Sequence, residues 1–313
     1  MWKFIAKRSG AGLVLLLAIT LITFVLLHLS SGDIARTILG TNATEAQLAL
    51  KREELGLDRS VMAQYLDWLT SALRGDLGHS YFTTDTVTTA LANRIPVTLG
   101  LVISIVIVSG IFAWALGLSA AYLGGWIDKT IQSVAVIANA IPGFLVALLF
   151  VTVFAVSMRL FPASGYVPFL DSPAGWLSTM TLPILALSLG SVASIAQQVR
   201  GGTIAVLQLD YVRTLRARGL SERGILLRHV LRNASVPGLA ALALNFVSLL
   251  GGSVLVEQVF ALPGLGTMAI TYSIKGDIPV VMGLLVVYTA FVIIVNLLFD
   301  LVIVWANPKA DLA

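Results

Sequence analysis

The chain has 313 residues, 58% of them apolar and 12% charged, with a mean hydropathy of +0.93. A soluble domain carries about 25% charged residues, so water-facing, disordered and collagen-like classes are excluded. The lack of cysteine excludes disulfide scaffolds, thiolate zinc sites, iron–sulfur clusters and thiol nucleophiles.

A bilayer core of about 30 Å needs about 20 mostly apolar residues per helix. Six stretches supply them, at 11–29, 97–123, 132–158, 177–199, 236–259 and 280–305. None alternates with the period of two expected of a barrel strand, so the chain reads as an all-α integral membrane protein with six transmembrane helices. The first follows Lys3, Lys7 and Arg8, as a secretion signal does. It is longer than a signal core of about 7–15 residues and runs into HLSSGD, not a small-residue cleavage site. It is expected to be retained.

The loop at 30–96 carries Asp33, Glu45, Glu53, Glu54, Asp58, Asp67, Asp76 and Asp85 and is net acidic. Lys3, Lys7 and Arg8 set the N-terminus in the cytoplasm, and six spans then put 124–131, 200–235 with its seven arginines, and 306–313 on the same side. The net charge of +4 and pI near 9.5 then describe cytoplasmic loops and not a nucleic-acid site. Three regions follow: 1–95 with the tail, helix 1 and the long extracytoplasmic loop; 96–305 with helices 2–6 and the loop 200–235; and a cytoplasmic tail at 306–313.

Within the spans, Pro142 beside Gly143 predicts a bend in the third helix, with a gate as the functional alternative. Asn139, Asn245 and Asn296 are set deep in spans, where side-chain amides bond neighbouring helices or line a path. Glu257 and Asp300 are the ionisable groups nearest the bilayer. Packing is their default role and substrate contact the alternative. Asn139, Pro142, Asn245 and Glu257 are the candidate path residues. Met158, Met180, Met268 and Met282 read as packing.

Enzymatic motifs are missing. No G-x-x-x-x-G-K-[ST] phosphate loop occurs; the one Lys followed by Ser or Thr is Lys129, preceded by Asp128. H-E-x-x-H and G-x-S-x-G are absent, and His28, His79 and His229 are far apart. No catalytic residue, metal site or bound cofactor is expected.

The most informative stretch is 208–237, QLDYVRTLRARGLSERGILLRHVLRNASVP. Leu209, Val212 and Leu215 recur at helical spacing, and Gly219 suits the left-handed position that ends a helix. Ser221 suits the cap of a second helix, with Glu222 in its first turn. Two short amphipathic helices are therefore expected to meet at a glycine. A basic helix pair lying on anionic lipid and a knob docking on a cytoplasmic partner are the two readings this composition allows.

This stretch resembles the coupling loop of membrane subunits of ATP-binding-cassette (ABC) importers, in particular the B-type permease of the dipeptide, oligopeptide and nickel branch. The importer signature is E-A-A, three residues, then Gly. Aligning its glycine with Gly219 places Arg213, Thr214 and Leu215 at E-A-A, and Leu215 departs from the usual small residue. SSGDIA at 30–35, LGLDRSVMAQYLDWLTSALRGDLGHSY at 55–81, FPASGY at 161–166, LLGGSVLVEQVFALPGLG at 249–266 and Asp277-Ile278-Pro279 are similar to the same branch, in the same order.

The resemblance implies a type I ABC importer permease fold with a coupling helix between helices 4 and 5, in a bacterial inner membrane. It implies a second homologous permease subunit, two ATPase subunits (or one fused) that carry the ATP and Mg, and an extracytoplasmic solute-binding protein. It places ATPase contact on Arg213, Thr214, Leu215, Arg216, Ala217, Arg218, Gly219, Leu220 and Ser221. Peptides are the expected substrate, with nickel or glutathione as alternatives. An ion-coupled secondary carrier, the competing class, favours repeated halves; the loops at 30–96 and 200–235 have no counterparts.

Overall fold

The computed structural model describes residues 2–30 and 32–306. The tail expected at 306–313 lies, from residue 307 on, outside the described residues. The described chain is helical. In order it forms α1 (Trp2–Ser30), α2 (Ile34–Leu39), α3 (Glu45–Glu54), α4 (Val61–Ala72), α5 (Val87–Leu123), α6 (Gly125–Ala140) and α7 (Gly143–Phe150). Then follow α8 (Pro173–Leu207), α9 (Asp210–Ala217), α10 (Glu222–Ile225), α11 (Leu231–Val259), α12 (Leu265–Lys275) and α13 (Ile278–Ala306).

Five uninterrupted helical segments are long and apolar enough to cross a bilayer: Gly10–Leu29, Val87–Leu123, Pro173–Leu207, Glu222–Val259 and Ile278–Trp305. The third expected span is a broken pair, α6 and α7, bent by 91°. Counted as one span, it makes six. The break follows from Pro142, which disfavours helical torsions in the residue before it; Ile141 adopts φ −95° and ψ 119°. Pro96, Pro183 and Pro237 lie inside helices that continue through them, so proline alone does not decide.

The fifth span also differs from expectation. The second short helix after Gly219 is not separate. It runs from α10 through a π-helical turn at Leu226–Val230 directly into α11, and neither Gly224 nor Pro237 ends it.

The chain divides into two compact units. One comprises the chain up to Val97 with Pro263–Ile293. Its core has two clusters, one of Val87, Leu91, Leu265, Met268, Val280 and Leu284 and one of Phe24, Ile34, Tyr65, Ile278 and Met282. Asp277, fully buried, accepts hydrogen bonds from the Ser80 hydroxyl and, at 3.2 Å, from the Tyr81 amide, which ties the loop before α5 to the start of α13. Burial pushes the Asp277 carboxyl up and the Tyr81 hydroxyl up to about 12.

The other unit comprises Thr98–Leu262 and the chain from Ile294. α8 is its central helix: 67% of its most apolar window is buried, against 28% for α5 and 39% for the Glu222–Val259 span. It packs on α11, α6 and α7. Without a hydrophobic drive between helices in lipid, close approach needs small residues. A β-carbon at Gly117 of α5 would sit 2.7 Å from the Ala196 carbonyl oxygen of α8, and one at Gly238 of α11 would sit 2.6 Å from Val199 Cγ2.

Candidate functional site: the elbow between the fourth and fifth spans

α8 ends at Leu207, and Leu209, in extended torsions, marks the start of α9 without a side-chain cap. Asp210 in the first turn complements the helix dipole. α9 is amphipathic. Val212 is fully buried and joins Ile225, Leu226, Val230 and Ala234 in one cluster, flanked by Leu118, Val206, Leu207 and Leu215. The apolar side of the elbow is thus a seat formed by the chain itself.

The turn that ends α9 is a Schellman motif. The Gly219 amide donates to the Arg216 carbonyl at 2.9 Å, and the Leu220 amide to the Leu215 carbonyl at 3.3 Å. The motif needs a left-handed residue, and Gly219 has φ +81°. The Ser221 hydroxyl then accepts from the Gly224 amide at 3.3 Å, capping the next helix.

Two clasps cross the turn. Arg216 holds Glu222 in a two-pronged pair, Nε to Oε1 at 2.7 Å and Nη2 to Oε2 at 3.1 Å. The Tyr211 hydroxyl donates to the His229 carbonyl at 3.2 Å. The Glu222 carboxylate holds the Arg216 guanidinium above its ordinary range. The outer surface is left to Arg213, Thr214, Ala217, Arg218 and Leu220, all exposed. Arg213 is tethered to Asp210 at 3.2 Å, and the Thr214 hydroxyl donates to the Asp210 carbonyl at 3.1 Å. Nine consecutive residues, 213–221, therefore form one braced, arginine-faced ridge continuous with the fifth span. Of them only Leu215 faces partly inward.

The candidate path residues stand in different surroundings. Asn139 is exposed near the end of α6, and Pro142 is exposed at the break. Glu257 is fully buried, and its Oε1 accepts the Thr98 hydroxyl at 2.7 Å. Asn245 lines a groove of about 410 Å³ between α8 and α11, with Ser194, Gln198 and Ser248. Ser194, Gln198 and Ser248 are exposed on helices long enough to span a bilayer. The signal for Ser194 and Gln198 is their four-residue spacing, which puts both on one helix face. An Asp128–Arg200 ion pair joins the start of α6 to α8. Nothing in the sequence links those two residues, 72 positions apart.

The described residues form a helical fold with several spans and a braced polar ridge between two of them. The family of binding-protein-dependent transport system inner membrane components matches residues 110–311, and that family's N-terminal region matches residues 1–102. The chain belongs to this family, the membrane permeases of ABC importers, which work with ATPase subunits.

A putative peptide transport system permease protein of Brucella abortus (strain 2308) is 37% identical over 313 residues, covering 99% of both chains. A probable peptide ABC transporter permease protein of Sinorhizobium fredii is 33% identical over 310 residues, again covering 99% of both. The glutathione transport system permease protein GsiC of Salmonella choleraesuis is 33% identical over 309 residues, 98% of each. Among solved structures, the inward-facing MetNI methionine ABC transporter matches with a TM-score of 0.55 and 20% identity, over 70% of this chain and 97% of that one. At that identity the likeness is one of fold: a type I ABC importer permease.

Proposed function

We propose that the chain forms half of a translocation pathway for peptides, and that the ridge at 213–221 receives the stroke of an ATPase. The observation that carries this reading is the bracing of α9 onto the Glu222–Val259 helix by the Arg216–Glu222 clasp and the Val212 seat. A push on the ridge is thereby delivered to a membrane span and is not absorbed in a loose loop. Arg213, Thr214, Arg216, Ala217, Arg218, Gly219, Leu220 and Ser221 meet the ATPase, while Leu215 anchors the ridge from beneath. The partners are a second, homologous permease, two ATPases (or one fused) carrying ATP and Mg, and an extracytoplasmic solute-binding protein that supplies substrate. This chain binds no cofactor. Both termini and the ridge face the cytoplasm.

Peptide is the substrate that suits both the named relatives and the groove between α8 and α11. The amides of Gln198 and Asn245 and the hydroxyls of Ser194 and Ser248 match the donors and acceptors of a peptide backbone. Glutathione, carried by GsiC as its name states, is itself a short peptide and is met by the same chemistry.

The test is a charge exchange. In the assembled transporter, Arg216→Glu breaks the clasp and alters the docking face together. The double variant Arg216→Glu/Glu222→Arg restores the internal pair with the charges reversed. Transport is expected to stay lost in the double variant while ATP hydrolysis runs uncoupled. Recovery of coupled transport would reduce Arg216 to a structural brace and remove the proposed contact.

A further inference from the structure

We propose that α4 is a membrane-boundary helix, seated in the leaflet at the C-terminal end of α1 with one flank against lipid acyl chains. It is not a helix of a water-exposed loop. The proposal rests on α1 spanning the bilayer and is independent of the coupling reading above.

The depth of α4 is fixed by its contacts with α1, whose apolar span is Gly10–Leu29. The Gln64 side chain meets His28 Nε2 at 2.9 Å, one residue before the apolar end. Tyr65 is buried against Phe24, with ring centroids 5.5 Å apart, and its hydroxyl reaches Thr20 Oγ1 at 3.1 Å. At about 1.5 Å rise per residue, Phe24 is about 7 Å and Thr20 about 13 Å below Leu29. The Gln64–Tyr65 turn of α4 thus lies beside the Phe24–His28 level, Tyr65 reaches deeper, and Trp68 and Leu69 pack on the same cluster. Amphipathic helices that lie in the interface sink their apolar face about 5–10 Å into that boundary.

The faces of α4 agree with that depth. Tyr65 and Trp68 turn inward to the Phe24 cluster. Beside them Met62, Leu66 and Leu73 lie on one flank at helical spacing, 53%, 50% and 77% exposed. On the far side Asp67 pairs with Arg59, and the Thr70 hydroxyl returns to the Asp67 carbonyl at 2.9 Å. The apolar arc continues sideways from the transmembrane helix it packs on. The surface contiguous with α1 at that level is hydrocarbon, which commits the flank to lipid.

The chain has no cysteine of its own, so single nitroxide labels can be placed without background from this subunit. In the assembled transporter in lipid vesicles, with partner cysteines replaced, labels are introduced at Met62→Cys, Leu66→Cys and Leu73→Cys, with Asp67→Cys and Thr70→Cys for contrast. Power saturation compares collisions with oxygen, which concentrates in acyl chains, and with a water-soluble nickel chelate. The oxygen-to-nickel ratio is expected to be severalfold higher at 62, 66 and 73 than at 67 and 70, and unchanged when the solute-binding protein is added. Nickel-dominated collision at the three flank positions would show a water-exposed loop. Low collision with both probes would show a protein partner on the flank. Either result overturns the proposal. Quenching of a bimane at the same positions by doxyl-labelled lipid gives a second reading that does not depend on label mobility.

Discussion

The polar side chains that matter most are those removed from water. Glu257 is wholly buried and takes the Thr98 hydroxyl at 2.7 Å, an arrangement expected to be worth more than a surface pair because competing water is excluded. Thr98→Val is expected to cost about 1–2 kcal/mol, read as a lower half-denaturation temperature in detergent, with Thr98→Ser near the parent. Asp33 offers a test in pH. Arg52, bonded to it, holds its carboxyl below the usual 3.8. A carboxylate depressed in the fold stabilises above its unfolded value, and that contribution is lost as pH falls through the folded value. The stability gap between the parent and Arg52→Gln is therefore expected to be present at neutral pH and to close as pH is lowered below 3.8. That Glu257 lies near the end of the fifth span was legible from the sequence. Its partner was not, because Thr98 lies 159 residues away and no local pattern joins them.

At the scale of helices, hydropathy reveals where spans lie but not how they begin, break or continue. Pro142 and Pro183 look alike in an apolar run, yet α6 stops before one and α8 passes through the other. Burial does not separate the two outcomes, since Pro96 and Pro237 are exposed like Pro142 and their helices continue. The elbow was legible because its signals are local: a capping serine, a left-handed glycine and an apolar stripe. That the helix after it merges with the fifth span was not. Helix contact supplies a sharp prediction. Gly117→Ala brings a β-carbon to 2.7 Å from a backbone oxygen that cannot swing aside, whereas the same change at Gly110 meets only Leu242 Cδ1 at 3.8 Å. The first is expected to destabilise by about 1–3 kcal/mol and the second to be neutral, as measured by thermal denaturation of the purified subunit.

For the whole molecule, the energy of transport is expected to come from outside this polypeptide. Reconstituted alone in vesicles under a proton or sodium gradient, the chain is expected to accumulate no peptide. With its partner permease, ATPases and binding protein, uptake is expected to follow ATP. Accumulation by the lone chain would move it to the class of ion-driven carriers. Six apolar runs define the membrane class from composition alone. The division of labour with other subunits rests on the family, because nothing in one chain's hydropathy names its companions.

The segment Glu222–Val259 is a single rod of 38 residues, about 57 Å long at the helical rise. If it rocks about the π-helical turn at Leu226–Val230, the short arm carries the ridge proposed above as the docking face and the long arm ends beside Glu257, as an oar pivots in its rowlock. A tilt of about 5° would then sweep the far tip by about 4 Å over some 45 Å of arm. A nudge at one face of the membrane would thus be magnified into a displacement the width of a peptide unit at the other.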